Sequence, residues 1–343
     1  MSIVNILFIG DPHFQIGNIT EINIFIEKII DIANSKKPDL IIIAGDLLHT
    51  HERLHTIPLN KAHDFINSMR KISKTYVLVG NHDYIQNQQF LTTNHWMNAM
   101  KEWSNTVIVD SVIVEYIKDK KFIFCPYVPN GRFEEALNTL KSDKWDDATC
   151  IFAHQEFFGC KMGGIISTEG DKWDLNNPFV VSGHIHQKQI LQKNIYYSGS
   201  ALQHSFGDSE DNIIPFFTFF NNNEYKIDEI NLNLPRKKIV YMNIDDIDKY
   251  IINEDSDDKI KITIKGDYNE FKSLKKSKKY KEMIDAGLKI VFKPKKNIQP
   301  IKNDDIKINT DFNKILYSII TEQNNPYLLQ SYELIINDNH IDL

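Results

Sequence analysis

Residues 39–49 read DLIIIAGDLLH, an unbroken apolar run that ends in a glycine and an aspartate. Two runs of the same kind, IVNILFIG at 3–10 and YVLVGN at 76–81, lie before and after it in the chain. Strands that are buried on both faces have this continuous Ile, Val and Leu composition, because helices cover both sides of their sheet. The stretch therefore predicts one of several buried strands in an α/β core.

Segments with helical patterns connect these strands. Residues 20–39, TEINIFIEKIIDIANSKKPD, predict a helix with Thr20 as its N-cap and Pro38 just beyond its end. A second helix is predicted over residues 58–73. Later apolar runs, such as VIVDSVIVEYI at 107–117, have the spacing of hairpins. Helical crossovers followed by hairpins predict the α/β class, with two mixed β-sheets packed face to face and flanked by helices.

Length and composition restrict the class of protein. The 343 residues exceed the usual size of one hydrophobic core, so a large domain with smaller ones is expected. No apolar run approaches the ~20 residues that span a bilayer, and the first residues lack the basic region of a signal peptide. The three cysteines have no Cys-x-x-Cys spacing, which favours small buried side chains in a reducing compartment. We expect an intracellular protein, cytoplasmic or nucleoplasmic, that is not secreted and has no membrane partner.

Charge is distributed unevenly along the chain, whose formal net charge is −6. Residues 236–302 hold 18 basic and 11 acidic residues, whereas residues 1–235 hold 20 and 28. A basic segment beside an acidic one is typical of a module that faces a polyanion, although lysine-rich helices are also ordinary solvated surfaces. The candidate DNA-binding side chains in this segment are those of Lys275, Lys276, Lys278 and Lys279.

The composition changes near LPRKK at 234–238, which marks a domain boundary. We predict a catalytic domain over residues 1–235, a basic α+β capping domain over 236–298, a linker over 299–310 and a helical segment over 311–343. The capping domain is predicted to consist of two strands, one lysine-rich helix over 269–287 and a third strand.

The helical segment has its own apolar stripe. Residues at helical spacing there are Phe312, Ile315, Leu316, Ile319 and Ile320, and Asn324, Asn325 and Pro326 then end the helix. Such a stripe suits docking against a partner's helix pair. The alternative is that the segment packs back onto the chain's own catalytic domain.

Polar residues with metal-ligand chemistry cluster at the ends of the predicted strands. The clusters are GDPH with Asp11 and His13, GDLLH with Asp46 and His49, GNHD with Asn81, His82 and Asp83, FAHQE with His154, and GHIH with His184 and His186. The carboxyl ends of neighbouring strands open onto one crevice, where α/β proteins place their sites.

The residue types in these clusters suit two metal ions. Ligands two positions apart on an extended backbone face the same side, and a carboxylate such as that of Asp46 can bridge two ions. Imidazole and carboxylate donors without thiolates favour Mn, Fe or Zn. Each cluster alone is more often a turn, but five clusters in this order favour a metal site.

This order of motifs resembles the five signatures of the calcineurin-like metallophosphoesterase superfamily, over residues 1 to about 210. The resemblance implies two divalent metal ions, with Mn²⁺ favoured and Mg²⁺, Fe²⁺ and Zn²⁺ also compatible. The ligands it implies are Asp11, His13, Asp46, Asn81, His154, His184 and His186. It also implies that His82 acts on the substrate rather than on a metal, and we expect Asp83 to orient the loop.

Details within the motifs resemble one subfamily. The chain has GNHDYI where protein phosphatases have GNHE. GDLLHTHERLH and YYSGSALQHSFGDSEDN at 196–212 resemble the SbcD-type nucleases of double-strand-break repair and recombination, including compact subunits from large phages and DNA viruses. A viral source would place the protein inside a host cell.

The SbcD-type resemblance implies a DNA exonuclease and endonuclease that acts with an SMC-like coiled-coil ATPase of the SbcC type, which a C-terminal helix-loop-helix tethers. It further implies a homodimer formed through the nuclease domain, and a role for His49 in positioning the phosphodiester. Two alternatives remain open: a small-molecule phosphodiesterase or nucleotidase, and a degenerate scaffold that only contacts proteins. The complete ligand set argues against the scaffold.

Overall fold

The structure, a computed structural model, describes residues 3–141, 143–209, 212–220, 224–253, 256–295, 312–323 and 325–338. The chain divides into two compact units, Met1–Pro294 and Lys295–Leu343. The predicted linker over 299–310 lies outside the described residues, as do residues 296–298 of the predicted capping domain.

Most of the first unit is built from strands. In chain order these are β1 (Val4–Ile9), β2 (Leu40–Ile43), β3 (Lys74–Leu78), β4 (Thr106–Val109), β5 (Ile113–Ile117), β6 (Lys120–Cys125), β7 (Cys150–His154), β8 (Lys161–Met162), β9 (Ile165–Ile166), β10 (Val180–Gly183), β11 (Gln189–Gln192), β12 (Ile195–Tyr197), β13 (Ile213–Phe219), β14 (Tyr225–Asn231), β15 (Lys237–Asn243), β16 (Lys259–Gly266) and β17 (Lys289–Pro294). The helices are α1 (Ile19–Lys36), α2 (Thr56–Ile72), α3 (Phe133–Leu137), α4 (Tyr268–Leu274), α5 (Lys278–Asp285), α6 (Phe312–Glu322) and α7 (Pro326–Asp338).

Two six-stranded mixed sheets form the catalytic part of the first unit, which confirms the predicted α/β class. The first sheet has the order β14-β13-β1-β2-β3-β4, in which β1 to β4 are parallel, β13 is antiparallel to β1, and β14 is antiparallel to β13. The second has the order β11-β12-β10-β7-β6-β5, with parallel central strands and an antiparallel strand at each edge.

Side chains alternate between two cores along each strand, as a period of two requires. On β1, Ile6 and Phe8 face the second sheet, and the Phe8 ring lies 6.0 Å from that of Phe152 on β7. The intervening residues Leu7 and Ile9 pack with residues of α1 and α2, including Phe25. The apolar runs are therefore continuous because both faces of the sheet are buried.

The two early helices lie close to their predicted positions. Helix α1 begins at Ile19, so Asn18 occupies the N-cap position and the prediction of Thr20 was wrong by two residues. It ends where Lys37 adopts a left-handed conformation (φ 48°) before Pro38. Helix α2 covers Thr56–Ile72, against a predicted 58–73.

The predicted hairpin at 107–117 was wrong. Strands β4 and β5 occupy this stretch, but β4 pairs with β3 in the first sheet and β5 pairs with β6 in the second. The chain crosses between sheets at Asp110 and Ser111, and no local pattern distinguishes such a crossing from a hairpin turn.

The basic segment forms a parallel three-stranded sheet of β15, β16 and β17 that packs on α4 and α5. The single lysine-rich helix predicted there is two short helices, because Ser277 caps a new start by accepting from the Tyr280 N–H at 3.1 Å. Lys237 ties the segment to the catalytic part through bonds from its Nζ to the carbonyls of Gln203 (2.6 Å) and His204 (3.0 Å). A second tie joins Lys259 to Glu21 on α1 at 2.5 Å.

The second unit contains α6 and α7. Asn325 accepts from the Tyr327 N–H at 3.1 Å and so caps α7. The rings of Tyr317 and Tyr332 lie 5.9 Å apart and join the two helices.

The cysteines and the lengths of the helices bear on what the composition predicted. Cys125, Cys150 and Cys160 are buried and free, as expected for small apolar side chains. Among the residues described, no helix has both the length and the apolar character needed to cross a bilayer.

Candidate two-metal centre

The candidate ligands gather where parallel strands of both sheets end. Asp11 and His13 follow β1, Asp46 follows β2, and Asn81 follows β3. From the second sheet, His154 ends β7, and His184 and His186 follow β10. All seven predicted ligands therefore lie at one edge of the sandwich, as expected for the carboxyl ends of parallel strands.

The backbone at this edge is strained. Asp11, His13, Asp46 and His184 have φ values of 35°, 42°, 48° and 77°, in the left-handed region that L-residues rarely adopt. Such conformations cost about 1–3 kcal/mol each and concentrate at functional sites, where the surrounding structure holds them.

Glycines allow the strands to approach closely there. A Cβ at Gly80 would lie 2.2 Å from Asp46 Oδ1, and Gly45 has a φ of +102° beside His154. Larger side chains at either position would push the candidate ligands apart. Gly183, before His184, also lies close to its neighbours, since a Cβ there would be 3.0 Å from Asp11 Oδ1.

One group of candidate ligands consists of Asn81, His154, His184 and Asp46. Asn81 Oδ1 lies 3.0 Å from His154 Nε2 and 2.9 Å from His184 Nδ1. Asp46 Oδ1 lies 3.4 Å from the same His154 nitrogen. The other ring nitrogen of His154 donates to the Ala44 carbonyl at 2.7 Å. That bond fixes the tautomer and leaves the Nε2 lone pair for a cation.

The second group contains His13, His186 and His204, whose ring nitrogens lie within 4.8 Å of one another, and Asp11 lies two residues before His13. Their ring nitrogens meet where His13 Nε2 and His186 Nε2 are 3.0 Å apart, and Asp46 Oδ2 lies 3.4 Å from His13 Nε2. The two oxygens of Asp46 thus face different groups, which is the arrangement of a bridging carboxylate.

Asp11 provides a test of whether a cation fits the second group. Its Oδ1 accepts from the His184 N–H at 2.9 Å, but its Oδ2 is buried and has no hydrogen-bond partner. Buried polar atoms in folded proteins nearly always have a partner. A cation held with His13 and His186 would supply the missing one.

Burial and mutual charge set the protonation of these groups. Burial raises the pKa of Asp11 to about 7. It lowers the pKa of His13, His184 and His186, so these imidazoles are neutral and able to ligate at neutral pH. Burial also acts against a charged His154, but the Asp46 and Asp11 carboxylates outweigh it and raise that pKa to about 9. The site therefore holds protons that a bound cation would displace.

His82 and His49 lie side by side at the same edge. The His82 backbone N–H donates to Asp46 Oδ1 at 2.8 Å, and its ring Nδ1 donates to the His49 carbonyl at 2.7 Å. The two rings are nearly parallel, with centroids 5.7 Å apart. One ring nitrogen each from His13, His49 and His82 lies within 4.8 Å of the others. Both predicted catalytic histidines are thus beside the candidate ligands.

His82 also faces a groove of ≈390 Å³. Candidate ligands line it together with the tip of the β8–β9 hairpin and a later loop: Asp46, Asn81, His184, His186, Met162, Gly163 and Asp208. The groove gives a substrate phosphate direct access to the candidate ligands and to His82.

Asp83 orients the loop, as expected. Its Oδ2 accepts from the Gly80 N–H at 3.1 Å, and its Oδ1 accepts from the Trp96 indole N–H at 2.9 Å. A further bond from the Leu48 N–H, at 3.4 Å, joins this loop to the one that carries His49.

Three residues of the site were not found from the sequence. His204 Nε2 lies 3.0 Å from the Asp11 carbonyl, and its ring contacts those of His13 and His186. Glu156 Oε2 lies 3.9 Å from His184 Nε2, and this imidazole, together with the Ser167 hydroxyl and the Asn130 amide that donate to the carboxylate, holds the pKa of Glu156 at about 2. The His51 ring stacks on His82 at 4.5 Å. All three lie in motifs named above, His204 in 196–212, His51 in GDLLHTHERLH and Glu156 in FAHQE, but no role was predicted for them.

The predicted DNA-binding lysines lie elsewhere, at the junction of α4 and α5 in the capping segment. Lys275, Lys276 and Lys278 are exposed and Lys279 is half-buried. Lys278 pairs with Glu282 at 3.5 Å. These side chains belong to the surface of the cap and not to the metal centre.

The fold and this site agree with the comparison to known proteins. Residues 4–188 match the calcineurin-like phosphoesterase family, and the chain belongs to that family. It is a phosphoesterase, a hydrolase whose family implies divalent metal ions, and the aspartate and histidine groups described above are the candidates to hold them.

Two viral relatives are similar over nearly their whole lengths. The chain is 50% identical over 284 residues to "Putative phosphoesterase 244L" of Invertebrate iridescent virus 6, which covers 81% of this chain and 99% of the relative. It is 46% identical over 316 residues to "Putative phosphoesterase 078R" of Invertebrate iridescent virus 3, covering 91% of each. Among solved structures, the Yfce phosphoesterase of E. coli aligns with a TM-score of 0.32 and 12% identity, over 67% of this chain and 100% of that one.

Proposed function

We propose that this phosphoesterase is a two-metal DNA nuclease, the exonuclease and endonuclease subunit of an SbcCD-type recombination and repair complex that acts on DNA ends. The observation that carries the proposal is the parallel pair of His49 and His82 beside the candidate ligands, joined by the 2.7 Å bond between His82 Nδ1 and the His49 carbonyl. Hydrolysis of a phosphodiester is helped by one group that protonates the leaving oxygen and another that holds the non-bridging oxygens. The imidazoles of His82 and His49, which are outside the predicted ligand set, can fill these two roles.

The metal ions would be held by Asp11, His13 and His186 on one side and by Asn81, His154 and His184 on the other, with Asp46 between them. Bound divalent cations lower the pKa of water toward neutrality and neutralise charge that develops on phosphoryl oxygens. The mixed carboxylate and imidazole set suits Mn²⁺ best, and Mg²⁺, Fe²⁺ and Zn²⁺ are compatible with it.

His82 acts on the leaving oxygen in this proposal. Its Nδ1 is committed to the His49 carbonyl, which leaves Nε2 as the nitrogen that can pass a proton to the departing oxygen. His49 holds the diester in place, and its half-buried ring at the end of GDLLH is close enough to the centre to do so.

In this proposal the capping segment contacts the phosphate backbone of the DNA. Its exposed lysines at the α4–α5 junction offer positive charge that the acidic catalytic part lacks. Contacts to phosphates release counterions, so this binding weakens steeply with salt. The anchors of Lys237 and Lys259 would keep the lysines on the same rigid unit as the active site.

We further propose that α6 and α7 dock an SMC-like coiled-coil ATPase and that the nuclease domain forms a homodimer. Apolar side chains on these helices are exposed, including Ile319 (50%) and Tyr327 (80%). Deleting residues 308–343 should leave a folded, metal-binding phosphoesterase that no longer co-purifies with a co-expressed ATPase of the same genome. Aggregation of the truncated chain would instead show that the segment belongs to the core. Sedimentation of the full chain tests the dimer.

A small-molecule phosphodiesterase or nucleotidase is the second candidate, because an open pocket of ≈370 Å³ lies across the stacked rings of His51 and His82 from the groove. One experiment separates the two functions. The purified chain with Mn²⁺ is given linear duplex DNA, circular single-stranded DNA and bis(p-nitrophenyl) phosphate. A nuclease degrades the DNA substrates, and His82→Ala abolishes this activity. Hydrolysis of the small diester alone would contradict the nuclease proposal and favour the second candidate.

A further inference from the structure

A cavity of ≈370 Å³ lies near the groove, and the nuclease mechanism proposed above does not use it. Apolar and aromatic side chains line it together with polar ones, two of which are carboxylates: Leu54, Tyr84, Ile85, Trp96, His51, Thr93, Asn94, His95, Asn98, Glu52 and Asp83. Cavities of this volume and composition are typical of small-molecule sites. We call this space, lined by Leu54, Tyr84, Ile85 and Trp96, the base cavity.

His51 connects the base cavity to the groove. It lines the cavity, and its ring stacks on that of His82 with centroids 4.5 Å apart and planes 15° apart. His82 in turn lines the groove with Asp46 and Asn81. The two spaces therefore lie on either side of one pair of stacked rings.

The side chains of the cavity are held in place before any ligand binds. The Trp96 indole N–H donates to Asp83 Oδ1 at 2.9 Å, which fixes the plane of the ring. The Ile85 N–H donates to the Asn94 carbonyl at 3.1 Å and closes the loop around the cavity. A site fixed in this way loses little conformational entropy when a rigid ring enters.

The rim exposes apolar surface that a ligand would cover. Leu54 is 39% and Ile85 47% exposed, and both side chains line the opening. Apolar walls, an aromatic ring and amide groups together are what proteins use to hold a base that has left its stack. Stacking of this kind tolerates any base, because every base has a flat π-face.

We propose that the base cavity holds the nucleobase of the nucleotide next to the scissile phosphate. The proposal rests on the proposed function for its substrate, DNA, and adds that this base must be unpaired, because a paired base cannot enter. Single-stranded DNA, frayed ends and nucleotides are then the preferred substrates, and fully paired internal positions are poor ones.

Binding of small ligands tests the cavity apart from DNA cleavage. Calorimetry on the full chain with Mn²⁺ compares a deoxynucleoside 5′-monophosphate with 2-deoxyribose 5-phosphate, which lacks the base. We expect the nucleotide to bind about ten- to a hundred-fold more tightly, the range measured for stacked bases. Ile85→Trp and, separately, Leu54→Trp fill the opening and should remove this preference while leaving manganese content and sugar phosphate affinity unchanged.

Leu175→Trp is the matched control, because Leu175 is 50% exposed and is absent from the lining of the base cavity. It should keep the preference. Equal affinities of the parent protein for the two ligands would overturn the inference, as would filled variants that retain the preference. A changed sedimentation coefficient in both filled variants, with the preference intact, would assign the surface to a subunit contact instead.

Nucleotide binding and DNA cleavage test the two proposals separately. If the nucleotide preference is found but no DNA is cut, the cavity is established and the nuclease proposal falls. If DNA is cut and the preference is absent, the nuclease proposal stands and the base cavity falls.

Discussion

Replacing His82 and replacing Asp46 should separate catalysis from metal binding. His82→Ala removes an imidazole whose ring makes one hydrogen bond, to the His49 carbonyl, and contacts the rings of His13 and His51, whereas the backbone N–H that donates to Asp46 remains. A single intramolecular hydrogen bond contributes about 1 kcal/mol to stability. A general acid contributes about 10²–10⁴ in rate, which corresponds to roughly 3–5 kcal/mol of the barrier. The variant should therefore be nearly as stable as the parent and far less active.

Asp46→Ala should differ from His82→Ala by losing bound metal. Its carboxylate accepts from the His82 N–H at 2.8 Å and faces His13 and His154 at 3.4 Å each, so it touches both candidate groups. Its loss should reduce bound manganese as well as turnover. Each variant is assayed for metal content by mass spectrometry, for hydrolysis of bis(p-nitrophenyl) phosphate and for thermal unfolding.

His63→Ala serves as the control for both, because it removes an exposed imidazole on α2 away from the centre. Its metal content and activity should match those of the parent. Normal metal content in Asp46→Ala would refute the bridging assignment. A His82→Ala protein that keeps more than about a tenth of the parental rate would refute the catalytic role.

Four further predictions concern the same site and its cap. His49→Ala should slow digestion of linear duplex DNA more than hydrolysis of the small diester, and a parental rate on DNA would exclude a positioning role. His204→Ala should weaken manganese binding on the His13 side, because it removes the donor to the Asp11 carbonyl at 3.0 Å and the ring that packs on His13 and His186. His204→Gln should restore part of this binding. Equal manganese affinity in both variants and the parent would limit His204 to packing. Manganese affinity should rise as pH increases through about 7, because the proton that burial holds on Asp11 must leave before the carboxylate can ligate. Calorimetry at several pH values would contradict this if the affinity did not change with pH. Reversing Lys275, Lys276, Lys278 and Lys279 to Glu should weaken DNA binding at low salt and leave metal content unchanged, and unaltered binding would mean that these lysines are only a solvated surface.

The sandwich and its ligand edge could be predicted from the sequence because both depend on local patterns. Buried parallel strands are recognised by their unbroken apolar runs, and each candidate ligand directly follows or ends such a run, as Asp46 does after β2. Since all parallel strands of a sheet end at the same edge, their positions in the chain were enough to bring the ligands together.

The errors have a different physical origin. Whether Ile113–Ile117 pairs with β4 or with β6 depends on tertiary packing, because a strand at the edge of either sheet would have the same pattern. The break of the lysine-rich helix depends on one side-chain bond at Ser277, which competes with helix continuation only once the helices are packed on the cap sheet. His51 and Glu156 lie in the predicted motifs, but on loops whose paths are set by contacts remote in sequence, so their contacts with His82 and His184 could not be predicted.

The strain at the metal centre follows from the same architecture. Four candidate ligands in the left-handed region cost together an amount comparable to the whole stability of an ordinary domain, about 5–15 kcal/mol. A single loop could not hold such conformations. Here each strained residue is attached to a strand that is buried on both faces: Asp11 follows Ile6, Phe8 and their neighbours on β1, and Asp46 follows the four buried residues of β2. Moving any one ligand would require a strand to shift within two cores at once, and close-packed interiors resist such shifts. The burial of both strand faces, which makes the strands recognisable in the sequence, therefore also keeps the candidate ligands close together.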